Sequence, residues 1–361
     1  MPVKEKEEIR RSGAKLEEEV SWFKKHEFFI SLASFIIFLV LIVLLFRNPT
    51  IQEKLHTCGD GTFYETCSIV KPYYCEQGAL IEKVSVCGCL ESSERLGDSC
   101  ITHLQKEPKN LALKYILNGE EKELKFTVYK GLSDYLSILP RRISYLNEEK
   151  PLRADFSFKK INEAEQRELL LPLVIKIQNL THDKEEQARI AISLVQNIQY
   201  GFSDKTDNFF GNQVNYSRYP YEVLYDAQGI CGEKSELLAF LLREVGYGVV
   251  LFYNQKENHE FVGIKCPIEE SYRETGYCFV ETTGPSIITD DSIEYAGGIK
   301  LESEPEIILI SDGYSLSKNL REYKDAEIMK RIRQGKFVLF KNSNFESLKA
   351  RYGLAEVYYS G

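Results

Sequence analysis

Three side chains of this 361-residue chain have the types and the order required for nucleophilic catalysis by a cysteine: Cys231, His259 and Glu281. In such an enzyme a thiolate attacks a carbonyl carbon, an imidazole moves the proton, and a carboxylate holds the imidazole in the correct tautomer. This chemistry calls for no cofactor and no metal. The residue types therefore predict a Cys-His-Glu catalytic triad.

Cys231 is expected to begin an amphipathic helix. A glycine turn precedes it, and Gly246 stands where a helix-terminating glycine is common. Unpaired backbone N–H groups at a helix N-terminus stabilise a thiolate. Considered alone, however, Cys231 fits a small buried residue at a helix start equally well. The apolar positions that indicate the helix are Leu237, Leu238, Phe240, Leu241, Leu242 and Val245.

The other two candidate residues lie at the edges of strand patterns. His259 precedes the apolar run Phe261–Ile264, and Glu281 follows the run Tyr277–Val280. A helix that carries the cysteine and two strands that carry the histidine and the carboxylate can converge on one cleft without strain. The coarse secondary structure is therefore compatible with the triad.

The order of these residues and their flanking segments resemble the transglutaminase-like superfamily of cysteine enzymes over Lys184–Ile288. The chain is most similar to the membrane-linked microbial branch, in which an Ala-Arg-x-Ala helix and a Tyr-Pro-x-Glu-x-Leu element precede the cysteine. The segments that carry the resemblance are Lys184–Tyr200, Tyr219–Leu224, Gly229–Gly232 and Glu281–Pro285.

This resemblance implies an α+β fold with a papain-like core, in which helices pack on an antiparallel sheet. It also implies that Cys231 is the nucleophile, His259 the base and Glu281 the orienting acid. Two positions depart from the superfamily pattern. Glu281 stands where Asp is usual, and His259 is followed by Glu260 and Phe261 rather than by a small residue and Trp.

The nine cysteines divide into possible pairs and one remainder. Cys266 and Cys278 lie where neighbouring strands could bridge them, which leaves Cys231 unpaired. An even set with one free thiol is typical of a cysteine enzyme outside the cytoplasm. The other six occupy a segment too poor in aliphatic residues to form a core, at Cys58, Cys67, Cys75, Cys87, Cys89 and Cys100.

The cysteine-rich segment, residues 56–102, resembles small Cys-Gly-Asp-Gly-Thr modules found beside membrane anchors in archaeal surface proteins. Disulfides are the favoured interpretation, and their connectivity stays open because six cysteines can pair in many ways. The alternative is a zinc site at Cys87 and Cys89, near His56 or His103. No pair of Cys-x-x-Cys knuckles supports that alternative.

Phe28–Phe46 is an uncharged apolar run of nineteen residues. As a helix it would span about 28 Å, close to the thickness of a bilayer core. A cleaved signal peptide is the alternative, but the small residues expected before a cleavage site are missing. Basic residues are frequent before the run and few after it, so the N-terminus is expected in the cytoplasm and the rest outside. We expect a single-pass protein of the cell membrane.

The expected organisation has a cytoplasmic segment 1–27, a transmembrane helix 28–46, a disulfide module 56–102, a hairpin-containing extension 108–160, a catalytic domain 161–290 and a C-terminal α+β extension 291–361. Asn118-Gly119 between two alternating runs predicts the hairpin. Helices are predicted over Glu163–Leu180 and Lys184–Gln199. The C-terminal extension is either a separate unit or an elaboration of the core.

Three details of the site stay open. The polar, aromatic-containing segment Gly201–Arg218 is either a substrate-binding loop or a surface loop. A second oxyanion donor, besides the Cys231 N–H, could come from Gln213, Tyr216 or Gln228. The third detail concerns three polar residues expected on the solvated face of the Cys231 helix: Glu233, Lys234 and Glu236. Of these, Glu233 is near enough to Cys231 to line the cleft instead.

The net charge of −8 and the pI near 5.5 exclude the basic footprint of a nucleic-acid-binding protein. The expected partners are a protein or peptide substrate and the membrane. We expect an enzyme that cleaves or transfers acyl groups at peptide or amide bonds, with hydrolysis favoured. The alternative is a non-catalytic protein-binding ectodomain on the same scaffold, and a disulfide from Cys231 to Cys266 or Cys278 would favour it.

Overall fold

The structure is a computed structural model, and it describes residues 35–39, 56–91, 93–146, 150–209, 211–293, 300–334 and 341–354. The chain divides into two compact units, Met1–His56 and Thr57–Gly361. In the first unit, residues 35–39 are helical. The rest of the expected span Phe28–Phe46 and the expected cytoplasmic segment 1–27 lie outside the described residues. Within the described part of the chain, no helix combines the length and the apolarity needed to cross a membrane.

The second unit contains both helices and strands. Its strands β1 to β14 are Tyr73–Glu76, Ala79–Glu82, Glu94–Leu96, Ser99–Ile101, Pro108–Leu117, Glu120–Tyr129, Gln199–Tyr200, Thr206–Phe209, Asn212–Asn215, Gln228–Gly229, Val249–Asn254, His259–Lys265, Tyr277–Val280 and Glu306–Ser311. Its helices α1 to α9 are Val84–Cys87, Lys130–Ile138, Arg153–Ile161, Ala164–Leu180, Lys184–Gln196, Pro220–Asp226, Cys231–Val245, Arg321–Arg333 and Lys341–Tyr352.

The central sheet has four strands in the order β13-β12-β11-β14, and every pairing is antiparallel. Helix α7 packs against β11 and β12 and is covered on its other sides by α5, α6, α4 and α3. The prediction of a mixed fold with helices on an antiparallel sheet is confirmed. Because α7 lies between the sheet and other helices, the sheet and this helix together fix the position of Cys231.

The hairpin predicted from Asn118-Gly119 is confirmed. Strands β5 and β6 pair in register from Pro108 opposite Tyr129 to Leu117 opposite Glu120. The two turn residues have φ values of 57° and 83°. Positive φ at both central positions is the requirement of the two-residue turn that matches strand twist, and Asn followed by Gly meets it at the lowest steric cost.

The disulfide interpretation of the cysteines is also confirmed. Within the cysteine-rich segment the pairs are Cys58–Cys75, Cys67–Cys87 and Cys89–Cys100. Cys266 pairs with Cys278 across strands of the central sheet, and Cys231 is free. The disulfide that would have contradicted catalysis at Cys231 is therefore not formed.

The cysteine-rich segment packs on helix α4. Ile175 of α4 joins the small apolar cluster around the Cys58–Cys75 disulfide. The Asn179 side chain accepts from the Leu80 N–H at 2.8 Å and donates to the Leu80 carbonyl at 2.9 Å. At Gly59 an added Cβ would lie 2.0 Å from the Gln178 carbonyl oxygen, so only glycine permits this approach.

The expectation of a solvated polar face on α7 is wrong. Glu233, Lys234 and Glu236 are 2 %, 0 % and 4 % exposed. Because neighbouring helices cover α7, these side chains pair inside the protein. Glu233 binds Arg218, and Glu236 binds Lys160. A buried charge is tolerated only with such partners, and both partners lie outside α7.

The C-terminal residues elaborate the core. Strand β14 pairs with β11 along the edge of the central sheet. Helices α8 and α9 form a further apolar cluster with Ile287, which includes Met329 and Leu348. The expected extension is thus joined to the preceding domain through a shared sheet and a shared apolar cluster.

Candidate active site

Cys231 lies at the first position of helix α7. The preceding residue, Ile230, is extended, with φ −87° and ψ 174°. The Glu233 carboxylate accepts a hydrogen bond from the Ile230 N–H at 3.1 Å. The thiol is half-buried, and it is the free cysteine of the chain. Its position places the sulfur at the helix N-terminus, where the backbone N–H groups of the first turn lack intrahelical partners.

His259 and Glu281 meet at one end of the sheet. His259 is the first residue of β12, and Glu281 directly follows β13. The last ladder pair joins Val262 to Val280, so the antiparallel register brings the two side chains to the same end. The distance from His259 Nε2 to Glu281 Oε2 is 2.9 Å, and both residues are buried.

The second oxygen of the Glu281 carboxylate is also fully engaged. Oε1 accepts from the backbone N–H groups of Thr282 and Thr283 at 2.9 and 2.8 Å, and from the Thr283 hydroxyl at 2.8 Å. These donors fix the rotamer of the carboxylate. Oε2 is thereby aimed at the imidazole.

The imidazole of His259 is hydrogen-bonded to Cys231 as well as to Glu281. Burial alone lowers the pKa of His259, but the hydrogen bonds and charges of Cys231 and Glu281 outweigh it and raise the pKa to about 10. Since Nε2 faces Glu281, Nδ1 is the ring nitrogen left for the thiol. The three residues expected from the sequence are therefore brought together, in the order thiol, imidazole, carboxylate. Their catalytic role stays a prediction.

Two hydroxyl residues that sequence reasoning missed connect the elements of this site. The Ser235 hydroxyl donates to the Glu260 carbonyl at 3.2 Å and lies 3.1 Å from the Thr282 hydroxyl. Thr282 in turn donates to the Cys231 carbonyl at 3.4 Å. These bonds join α7, β12 and the segment after β13. The only sequence signal for Ser235 is a polar residue one helical turn after the cysteine.

Lys234, which was expected on the solvated face of α7, instead acts as a buried clamp. Its Nζ donates to the carbonyls of Gln196, Ile198 and Thr283 at 3.3, 2.6 and 3.4 Å. Burial lowers the pKa of Lys234 to about 8, and the charge of Glu281 acts in the opposite direction. The clamp ties helix α7 to the end of α5 and to the segment that carries Glu281.

We expect Lys234→Met to lower the free energy of unfolding by about 1–3 kcal/mol, because buried carbonyls lose their donor. Urea denaturation followed by circular dichroism measures the change. Lys176→Met, at an exposed lysine on α4, is the matched control and should stay within about 0.5 kcal/mol of wild type. Equal losses in both variants would show that the clamp contributes nothing.

The structure separates the three candidates for the second oxyanion donor. Gln213 is exposed on β9. The Tyr216 hydroxyl is occupied, because it donates to Glu222 and accepts from Arg141. Gln228 lies three residues before Cys231, and its Oε1 accepts from Arg218 at 3.2 Å, which leaves Nε2 as a donor. Gln228 is therefore the strongest candidate.

Tyr200 is a further residue near the thiol that the sequence did not single out. It lies on β7, opposite Gly229 of β10. Burial raises the pKa of Tyr200, and the negative charges of Cys231, Glu281 and Glu233 raise it further. The ring is 47 % exposed and contacts Phe202 edge to face. Tyr200 is thus a partly exposed aromatic residue near the thiol.

The segment Gly201–Arg218 fits neither open interpretation completely. Its centre is a small exposed hairpin, β8 and β9. Phe202 is 59 % exposed, whereas Tyr216 is buried. The aromatic residue at the start of the segment, Phe202, is thus accessible, while Tyr216 near its end anchors the segment to α6.

The unusual residue after the histidine, Glu260, is buried and paired. Its Oε2 accepts from Arg153 Nε and Nη2 at 3.0 and 2.7 Å. The Arg153 guanidinium lies 3.5 Å from the centre of the Tyr253 ring. Glu260 is thus held in an ion pair with Arg153 of α3.

No protein-family model matches the chain, and no curated protein matches it significantly. Among solved structures, calcium-bound Legionella pneumophila LapG is 18 % identical, with a TM-score of 0.24 over 50 % of this chain and 99 % of that chain. Two other LapG structures, one of them EGTA-treated, have TM-scores of 0.26 and 0.25 and the same identity, over 50 % of this chain and 97 % of theirs. This likeness assigns no activity, so the function rests on the chain's own residues.

Proposed function

We propose that this protein is a transglutaminase-like cysteine enzyme that acts on peptide or amide bonds through Cys231, His259 and Glu281. The observation that carries the proposal is the position of His259, which is hydrogen-bonded to a free thiol at a helix start and to a saturated carboxylate. A structural histidine needs only one such partner. The pairing of a thiol with an imidazole that is itself oriented by a carboxylate is what nucleophilic catalysis requires.

In the proposed reaction, His259 takes the proton of the Cys231 thiol and the sulfur attacks the carbonyl carbon. The C–N bond breaks as the imidazolium donates its proton to the leaving amine, and a thioester remains on Cys231. His259 then removes a proton from water, whose oxygen attacks the thioester. The C–S bond breaks, which releases the carboxylic acid and restores the thiol. An amine in place of water would make the reaction a transfer.

The proposed location is the outer side of a cell membrane, with a single anchor near the N-terminus. Four disulfides in a chain with one free thiol support an oxidising compartment. The apolar run Phe28–Phe46 and the basic residues before it support the anchor and its direction.

The proposed function is tested by the rate at which iodoacetamide labels the full chain across pH without reductant. Because the other eight cysteines are in disulfides, label is expected only on Cys231. In wild type the rate should stay nearly constant between about pH 6 and pH 8, because the imidazolium of His259 holds the thiolate. The ion pair between the His259 imidazolium and the Cys231 thiolate should be lost above about pH 10, where His259 loses its proton.

In His259→Ala the labelling rate should instead rise roughly tenfold per pH unit below about pH 8, as it does for an ordinary cysteine thiol. Cys231→Ala confirms the labelled residue by mass spectrometry. Parallel profiles for wild type and His259→Ala would contradict the proposal and favour a non-catalytic binding domain.

A further inference from the structure

A cavity of about 430 Å³ lies beside the candidate active site. Four of its lining residues are cations, and only one is a carboxylate. The side chains that matter here are Arg141, Arg153, Lys159, Lys160, Tyr219 and Glu236. The cavity is not part of the triad, and the proposed chemistry does not use it.

The cavity lies beside the first turns of helix α7, which begins at Cys231. Arg153 Nη2 lies 4.0 Å from the position that a Cβ would take on Gly232, the residue after Cys231. Glu236 lines the cavity from the same helix, one turn beyond Gly232, or about 6 Å along the axis. An extended peptide advances about 3.3 Å per residue, so a side chain two to four positions from the reacting bond can reach the cavity.

The charges of the cavity do not balance. Arg141 pairs with Glu222 at 2.7 Å, Arg153 pairs with Glu260 at 2.7 Å, and Lys160 pairs with Glu236. Three of the four cations therefore each have a carboxylate partner.

Lys159 is the fourth cation. Its Nζ donates to the carbonyls of Pro140 and Arg142 at 2.6 and 2.9 Å, and no carboxylate of the described residues lies within ion-pair distance of it. Burial lowers the pKa of Lys159, and the charge of Arg141 lowers it further. A bound anion would relieve both effects.

We propose that this cavity is a subsite for an acidic side chain of the peptide substrate. The subsite rests on the proposed function, since it takes a side chain of the chain that Cys231 attacks. Lys159 supplies the charge that has no carboxylate partner among the described residues, and Arg153 supplies a planar donor group beside Gly232, the residue after Cys231. The anionic side chains of an unmodified peptide are the carboxylates of Asp and Glu. Guanidinium and ammonium groups are their usual partners.

The kinetic test uses pairs of peptidyl vinyl sulfones that differ only in Glu or Gln, placed two, three or four residues from the reactive group. We expect one Glu probe to inactivate the full chain about tenfold faster than its Gln partner at low salt, and less so at high salt. Lys159→Gln should reduce that ratio to nearly one, because the Glu probe then loses its charged partner. Lys176→Gln, which removes one exposed charge from α4, should leave the ratio unchanged.

A binding test examines the subsite without requiring that Cys231 reacts. The same peptides without the reactive group are titrated into the full chain carrying Cys231→Ala, with and without Lys159→Gln. Tighter binding of the Glu peptide that depends on Lys159 supports the subsite even if Cys231 proves unreactive. Equal binding of the Glu and Gln peptides, or equal displacement of both by inorganic phosphate, overturns it. If labelling of Cys231 depends on His259 while the probe pairs react equally, the enzyme stands and the subsite fails.

Discussion

Glu281→Gln should lower turnover by about 10⁴-fold although it changes neither the length nor the volume of the side chain. The reason lies in the donors around the carboxylate. Oε1 accepts from two backbone N–H groups and from the Thr283 hydroxyl. A glutamine must place its carbonyl oxygen there, because an NH₂ group would face those donors. Its NH₂ group then faces His259 Nε2 at the position where Oε2 lies 2.9 Å away.

Two donors cannot share that contact, so Nε2 of His259 must become the acceptor. The ring proton then moves to Nδ1, which is the nitrogen that has to receive the thiol proton. The variant therefore has the wrong tautomer, and no ion pair forms with Cys231. In wild type, Glu281 also helps to raise the pKa of His259 to about 10. Without that charge burial dominates, so the pKa of His259 should fall and imidazolium should be lost at lower pH.

Single-turnover release from a chromogenic peptide anilide measures the rate, and ¹⁵N shifts of the labelled imidazole report the tautomer and its titration. Thr283→Val is the matched control, because it removes one donor from Oε1 and keeps both backbone N–H groups. It should cost less than about tenfold. Turnover of Glu281→Gln within tenfold of wild type, with Nε2 still protonated, would show that Glu281 does not orient the imidazole.

The local features of this fold were readable from the sequence because short segments determine them. The start of α7 at Cys231, its end at Gly246 and the turn at Asn118-Gly119 all follow from backbone preferences. Helix α4 begins after Glu163, whose side chain accepts from two N–H groups of the first turn, within one residue of the predicted start. Cysteine counting worked for a different reason: with nine cysteines in the chain, complete pairing within it must leave one thiol free.

The burial of charged residues was not readable, because it depends on elements that are distant in sequence. Glu236 on α7 is covered by Lys160, and Glu260 is paired with an arginine 107 residues earlier. Polar residues between apolar positions of a helix normally indicate a solvated face. Here other helices cover that face, so its charged side chains form internal ion pairs. One of these pairs, Lys160 with Glu236, lines the cationic cavity.

Gln228→Ala should lower the rate of acyl transfer by about 10²–10³-fold, the usual effect of removing one oxyanion donor. Attack on a carbonyl places negative charge on its oxygen, and the Cys231 N–H at the start of α7 is one donor for it. Gln228 precedes the nucleophile by three residues. Its Oε1 is held by Arg218, so its Nε2 is free to be the second donor.

The same amide can be displaced without mutating it. A Cβ on Gly201 would lie 2.0 Å from Gln228 Nε2, the mobile end of a side chain. Gly201→Ala should therefore move the amide at little cost in stability, and it should reproduce the loss seen in Gln228→Ala. Combining the two substitutions should add little, since both remove one donor.

Alkylation separates this role from a general disturbance of the site. Iodoacetamide reacts at a saturated carbon and develops no oxyanion, so its rate with Cys231 should stay within about twofold of wild type in both variants. Gln213→Ala makes the same change at an exposed position on β9 and should alter neither rate. A parallel fall of alkylation and acyl transfer in Gln228→Ala would mean that the glutamine supports the thiolate itself. The second oxyanion donor would then have to be sought among the other groups at the thiol, beginning with the Tyr200 hydroxyl, whose pKa the charge of Cys231 helps to raise.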